Sequence, residues 1–357
     1  MRSIFIALLT LISAFVYPDD SDDVEGLISY HPFYTPSSGN KRLSGGHIID
    51  KSQVMPGYNA PARSDIGKKI EAFASGAYLF FQPHQKGLIF AYTSDNANSN
   101  KSQTFEMHSN YKSAFKVTLG FDTINDDWSY FARYMRFHFS KVKQLEQRVV
   151  CPWTTTFDVM TSARAKWGLK LDTIDLMVAR AFYGGTHLIL TPAFGFSGGF
   201  LDQDFRTDCV RESDNSSLFS ADKIDSHFIG LIAELKTKYL MLYGLSLFGD
   251  ISTRLFYQDF RVKNRQNSKT NQFVLFDNSI NDLSFISPNL NLSAGLEWGT
   301  YFYTNTYHIS FLAGYEAEIY WNQNLMMELK ELRDNRFDQD AANLYFHGIV
   351  AKLELKF

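Results

Sequence analysis

An all-β fold, a transmembrane antiparallel β-barrel closed by its C-terminal strand, is predicted by three observations. Blocks of roughly ten residues with alternating apolar and polar positions recur from Ile70 to the last residue. Aromatic residues are abundant, with 32 Phe, 19 Tyr and 5 Trp in 357 residues, and they gather at the block ends. A membrane–water boundary takes Tyr and Trp there. Finally, no run after the N-terminal leader approaches the roughly 18 apolar residues that a spanning helix needs, so strands must do any crossing.

The leader, MRSIFIALLTLISAFVYPDD, carries Arg2 and then an apolar and small run from Ser3 to Val16. It reads as a secretory signal peptide over residues 1–14, with cleavage after Ala14. Residues 15–69 hold five prolines, Gly45-Gly46 and little apolar period, and read as a loosely ordered segment before a barrel over 70–357. The formal charge of -3, with both signs scattered, provides no basic stripe for nucleic acid. The nine His lack close ligand spacing, so no metal or cofactor is expected.

Candidate strands follow in order. Residues 71–82 and 87–94 form a first hairpin. In 113–122, Phe115, Val117, Leu119 and Phe121 share one face and Lys116, Thr118, Gly120 and Asp122 the other. Residues 127–139 come next. In 162–172, Ala163, Ala165, Trp167, Leu169 and Leu171 alternate with Arg164, Lys166, Gly168 and Lys170. Residues 173–183, 187–200 and 227–238 continue the pattern. In 244–257, Leu245, Leu247, Ile251 and Leu255 oppose Ser246, Asp250, Ser252 and Arg254. In 290–299, Leu290, Leu292, Ala294, Leu296 and Trp298 oppose Asn291, Ser293 and Glu297. In 307–321, aromatic and aliphatic odd positions oppose His308, Ser310, Glu316 and Glu318. The terminal block 344–357 places Tyr345, Ile349, Ala351, Leu353, Leu355 and Phe357 on one face. These blocks make about twelve strands.

Short turns are expected at INDD, LDTI, YGGT and KTKY, and long connections near 93–112, 140–158, 201–226, 262–286 and 322–343. Two short connections in succession, LDTI and YGGT, conflict with the usual alternation of short turns and long loops, which puts the count at about twelve to fourteen. Cys151 and Cys209 fall in long connections. A secreted context permits a bond, whereas this strand count sets them on opposite rims, and the residues leave both readings open.

With the apolar faces in lipid, Lys116, Arg164, Lys166, Lys170, Glu234, Lys236, Asp250, Arg254, Glu297, His308, Glu316, Glu318, Lys352 and Glu354 point into the lumen. Both signs then line it, and weak ion selectivity follows. Either an open or narrowed channel, the expectation adopted here, or cross-lumen pairing that fills the space fits a barrel of this size. In NQNLMMELKELRDNR, Leu325, Met326, Leu329 and Leu332 have helical spacing, which suggests a short loop helix folded into the lumen or lying outside it. Catalysis would need a nucleophile beside a base. His308 and Ser310 share a strand face, but no motif surrounds them, so no enzyme is expected.

The stretches AYLFFQPHQKGLIFAY, DDWSYFARY, GLSLFGDISTRLFY, LEWGTYFY and YHISFLAGYEAEIYWNQNLM, with the closing strand, resemble in their order the Legionella-type pore-forming outer-membrane proteins. That family is related to the major outer-membrane proteins of environmental chlamydiae. The resemblance implies an outer-membrane porin for passive diffusion of ions and small hydrophilic solutes, in contact with lipid and lipopolysaccharide. By the same analogy it implies homo-oligomers such as trimers, and leaves intermolecular disulfides open. A hydrophobic-solute transporter and an adhesin are the alternative readings, and an outer-membrane lipase or protease a more remote one. Phe357 resembles the terminal signal read by the barrel-assembly machinery. Deleting Phe357 is expected to impair outer-membrane assembly more than a one-residue deletion within 15–69, as read by membrane fractionation; equal assembly of the two variants would count against the signal.

Overall fold

In the computed structural model the described residues are 70–93, 103–123, 128–154, 158–184, 187–241, 244–268, 273–302, 307–326 and 342–357. The signal peptide, the segment 15–69, the INDD turn and positions 327–341 of the expected loop helix lie outside them.

In chain order the strands are β1 (Ile70–Gln85), β2 (Ile89–Tyr92), β3 (Thr104–Glu106), β4 (Lys112–Thr123), β5 (Trp128–Leu145), β6 (Val149–Val150) and β7 (Val159–Arg180). There follow β8 (Phe182–Gly184), β9 (Leu188–Arg211), β10 (Ser217–Leu240), β11 (Leu245–Ser268), β12 (Phe273–Phe302), β13 (Tyr307–Asn324) and β14 (Ala342–Lys356). The long strands pair antiparallel in the order β1-β4-β5-β7-β9-β10-β11-β12-β13-β14 and back to β1, a closed barrel of ten strands among the described residues. The short β2, β3, β6 and β8 attach at its rims. The seam runs from Phe73↔Lys356 to Gln85↔Leu344, and Phe357 extends it by exchanging backbone bonds of 3.0 and 2.8 Å with Ala72. Closure matters because lipid offers no partner to an unpaired edge.

The expected twelve to fourteen strands are therefore corrected to ten. LDTI is not a turn: it lies inside β7, which runs unbroken from Val159 to Arg180 and so joins residues 162–172 to most of 173–183, whose end is the separate β8. Residues 87–94 supply only the four-residue β2 on the rim. Removing these two also removes the succession of short connections. KTKY likewise stays in β10, and the chain turns after it, near Gly244, whose φ of 79° suits a residue without Cβ.

The expected long connections 201–226 and 262–286 are strands as well, since β9 and β10 run to a short turn containing Asn215 (φ 54°) and β11 and β12 extend equally far. Their pattern changes because their surroundings change. In the lower half, toward the short turns, outward residues are apolar and exposed: Leu119, Leu176, Phe196, Leu231, Leu255 and Leu353 are examples. In the upper half the outward side is mostly polar, and the inward side holds an apolar core that includes Phe81, Phe137, Trp167, Phe205, Phe260 and Phe346, with buried polar groups such as Thr207, Asp222 and Gln258 among it.

The switch falls on one row of directly opposed residues, Arg136↔Asp172↔Phe200↔His227↔Asp259. The neighbouring row below reads Tyr134, Ile174, Gly198, Ile229, Tyr257 and Ile286. Above it stand His138, Lys170, Asp202, Asp225 and Arg261. The lower half thus has the sidedness of a lipid-embedded barrel, and the upper half that of a barrel in water.

Cys151 and Cys209 both lie on the upper rim, which corrects their placement on opposite rims, and they are joined by a disulfide with an S–S distance of 2.18 Å. The bond holds residues 151–154 over the lumen. There Trp153 packs on Phe205 at 4.8 Å and donates from Nε1 to the Ile89 carbonyl at 2.7 Å.

Two outcomes are expected. Leu231→Arg, on the lipid-facing lower half, should cost about 2–4 kcal/mol in vesicle unfolding titrations, and Ala221→Arg, outward above the boundary row, close to nothing. Cys209→Ser should destabilise the folded barrel by about 2–4 kcal/mol, with a matching loss in wild type treated with reductant.

A charged lumen below an apolar cap

The even positions of β10, β11, β13 and β14 and the odd positions of β7 and β12 point inward through the lower half. Strand alternation thereby brings groups from distant parts of the chain into one layer. Arg133 on β5 donates from Nε to Asp175 Oδ2 at 2.9 Å and, through both terminal nitrogens, to Glu234 at 2.9 and 3.3 Å. Arg254 on β11 donates from Nη2 to the same Asp175 oxygen at 3.1 Å and from Nη1 to Glu318 at 3.2 Å and Asn289 at 2.8 Å. Ser197 completes the shell of Asp175 at 2.6 Å. Nearer β4, Lys116 binds Glu316 at 2.9 Å, and Asn291 donates to that carboxylate at 2.6 Å. These residues come from β4, β5, β7, β9, β10, β11, β12 and β13, so the layer crosses the lumen from wall to wall.

Beneath this layer a cavity of about 360 Å³ reaches toward the short-turn rim. Seven cationic side chains border it (Lys116, Arg133, Lys236, Lys238, Arg254, Lys352 and Lys356) and seven anionic ones (Glu71, Asp122, Glu234, Asp250, Glu297, Glu316 and Glu354). Most are paired: Lys238 with Glu297 at 2.9 Å, Lys352 with Glu354 at 2.6 Å and Lys356 with Asp122 at 2.6 Å. Above the layer the interior is closed by the apolar core and by buried polar side chains set among it, such as Gln203, Asp222, Gln258, Asn264 and Gln266. At the end of β13 the chain turns inward: Gln323 donates to Gln258 at 3.0 Å and Ser287 at 2.8 Å, and Leu325 and Met326, just beyond the strand, are fully buried in the core.

Of the residues expected in the lumen, Lys116, Glu234, Lys236, Asp250, Arg254, Glu297, Glu316, Lys352 and Glu354 border the cavity. His308 and Glu318 face inward and are buried in the wall. Arg164, Lys166 and Lys170 do not belong there. They are exposed on the outside of β7, and their neighbours Ala163, Ala165, Trp167, Leu169 and Leu171, expected in lipid, are buried inside. The alternation was correct, but this part of β7 stands above the boundary row, where the apolar face turns inward. The open lumen is corrected in the same way: in the described residues, cross-lumen pairs and the apolar core occupy it.

Arg133 and Asp175 were missed. On YFARYMR both faces carry large apolar or aromatic groups, so alternation gives no sidedness to Arg133. Asp175 lay inside the expected strand 173–183 without being singled out, although Ile174, Leu176 and Val178 alternate with it.

Similar solved structures include the outer membrane protease OmpT of Escherichia coli, with 10% identity, TM-score 0.37 and coverage of 81% of this chain and 96% of that one. A FadL homologue of Pseudomonas aeruginosa gives 10% identity, TM-score 0.26 and coverage of 85% and 95%. The toluene transporter TodX of Pseudomonas putida gives 8% identity, TM-score 0.21 and coverage of 81% and 89%. No curated protein matches this sequence. The family described as the Legionella pneumophila major outer membrane protein precursor matches residues 71–357, and with its closed barrel and lipid-facing belt the chain belongs to that outer-membrane family.

Proposed function

We propose that this outer-membrane barrel is a channel of low conductance for passive diffusion of ions and small hydrophilic solutes, closed in the conformation described above. The observation that carries the reading is the charged lining of the lower lumen. A barrel filled only for stability does not need it, because replacing buried ion pairs by apolar residues is commonly neutral or stabilising. A lining of both signs around water tunes solute passage instead. The closing elements hang from the upper rim: residues 322–326 fold in from the end of β13, and residues 151–154 cover the opposite side. No catalytic role is assigned to His308 and Ser310, whose shared face follows from strand alternation alone. Contact with outer-membrane lipid and lipopolysaccharide, insertion by the barrel-assembly machinery, and association into trimers are part of the same proposal.

A second reading, uptake of an apolar solute, is favoured by the aromatic interior of the upper half. It predicts solute transport without ion conductance.

Planar-bilayer recording of the purified full chain tests the first reading. Discrete steps with weak ion selectivity are expected from the equal numbers of lumen cations and anions; silence or strong selectivity would overturn it. Deleting residues 326–334 should raise the conductance, and an unchanged value rejects the inward segment as a constriction. Arg254→Ala should leave Asp175 and Glu318 without this cation, raise conductance and shift selectivity toward cations. It should also destabilise the barrel by about 3–5 kcal/mol, the cost of breaking a buried pair.

A further inference from the structure

The paired wall of the lower cavity has one exception. Lys236 and Asp250 are directly opposite each other on β10 and β11, and both border the cavity, yet they form no ion pair with each other. Lys236 instead leans over the Phe131 ring, 4.4 Å from its centroid, and lies 3.8 Å from Glu234, which is already held by Arg133. Asp250 takes part in no hydrogen bond or ion pair among the described residues, whereas the other cavity carboxylates Glu234, Glu297, Glu316 and Glu354 all have direct cationic partners. Directly opposite strand positions lie roughly 5 Å apart at Cβ. The two side chains therefore leave adjacent wall positions with their charged ends apart, each with bonding capacity left over.

We propose that Asp250 and Lys236 form a binding site for small zwitterions of the α-amino acid class. The solute's ammonium meets Asp250, and its carboxylate meets Lys236. Two complementary contacts select a solute carrying both charges over one carrying a single charge or none. The cavity volume, at the low end of small-molecule sites, restricts the solute to a compact one. This inference rests on the channel reading for its physiological role, but the site itself is testable without conduction.

The experiment compares glycine with its uncharged isomer glycolamide on the full chain, in two measurements. In proteoliposome swelling, glycine should enter roughly threefold faster than glycolamide, the scale of a solvent-accessible ion pair. Asp250→Asn and Lys236→Gln should each bring the ratio close to one. Measurable but equal rates in wild type, or a ratio that survives both substitutions, would overturn the proposal. In saturation-transfer NMR on detergent-solubilised protein, the glycine methylene should receive saturation from wild type and lose it in Asp250→Asn; transfer that is absent in wild type or unaltered in the variant would overturn the site. Swelling by neither solute together with Asp250-dependent transfer would reject the channel and retain the site.

Discussion

The constraint on which the molecule depends is that a backbone crossing lipid must pair every N–H and C=O with itself. Ten strands meet it by closing β1 on β14 over thirteen residue pairs, Phe73↔Lys356 to Gln85↔Leu344. Once the edges are gone, side chains are free to answer the two solvents around them. That division produces the apolar belt below the row from Arg136 to Asp259 and the inside-out arrangement above it. The charged lumen follows from the same closure: groups turned away from lipid have only one another and the enclosed water as partners.

This division also decides what was legible in the sequence. Alternation identified the barrel and the faces of β4, the lower part of β11, β13 and β14, because there one face meets lipid and the other the lumen. Alternation has no sign of its own, and it supplies the same pattern for Arg164, Lys166 and Lys170 as for Lys352 and Glu354. Only height relative to the membrane separates the two groups. Height requires knowing that β7 is a single strand of 22 residues, and Asp172 and Thr173 resemble turn residues only because one faces the boundary and the other the lumen. The polar runs 201–226 and 262–286 read as loops for the same reason: strands standing in water lose the outward apolar half of their signature.

Pairing across the lumen was the least visible feature. Asp175 joins Arg133 and Arg254, which are 121 positions apart in the chain, and no local pattern encodes such a meeting. Arg is suited to this position because its planar fork serves two carboxylates at once. Retaining these charges inside a barrel costs desolvation, so stability alone does not account for them.

The core above the boundary row draws Phe81 from β1, Trp167 from β7 and Phe346 from β14 into one cluster. The first and last strands therefore contribute to the same apolar body, and it cannot be completed while the chain is open. Contacts so distant in sequence form slowly. Until the seam zips these rings lack part of their surroundings, and only the finished cylinder hides them.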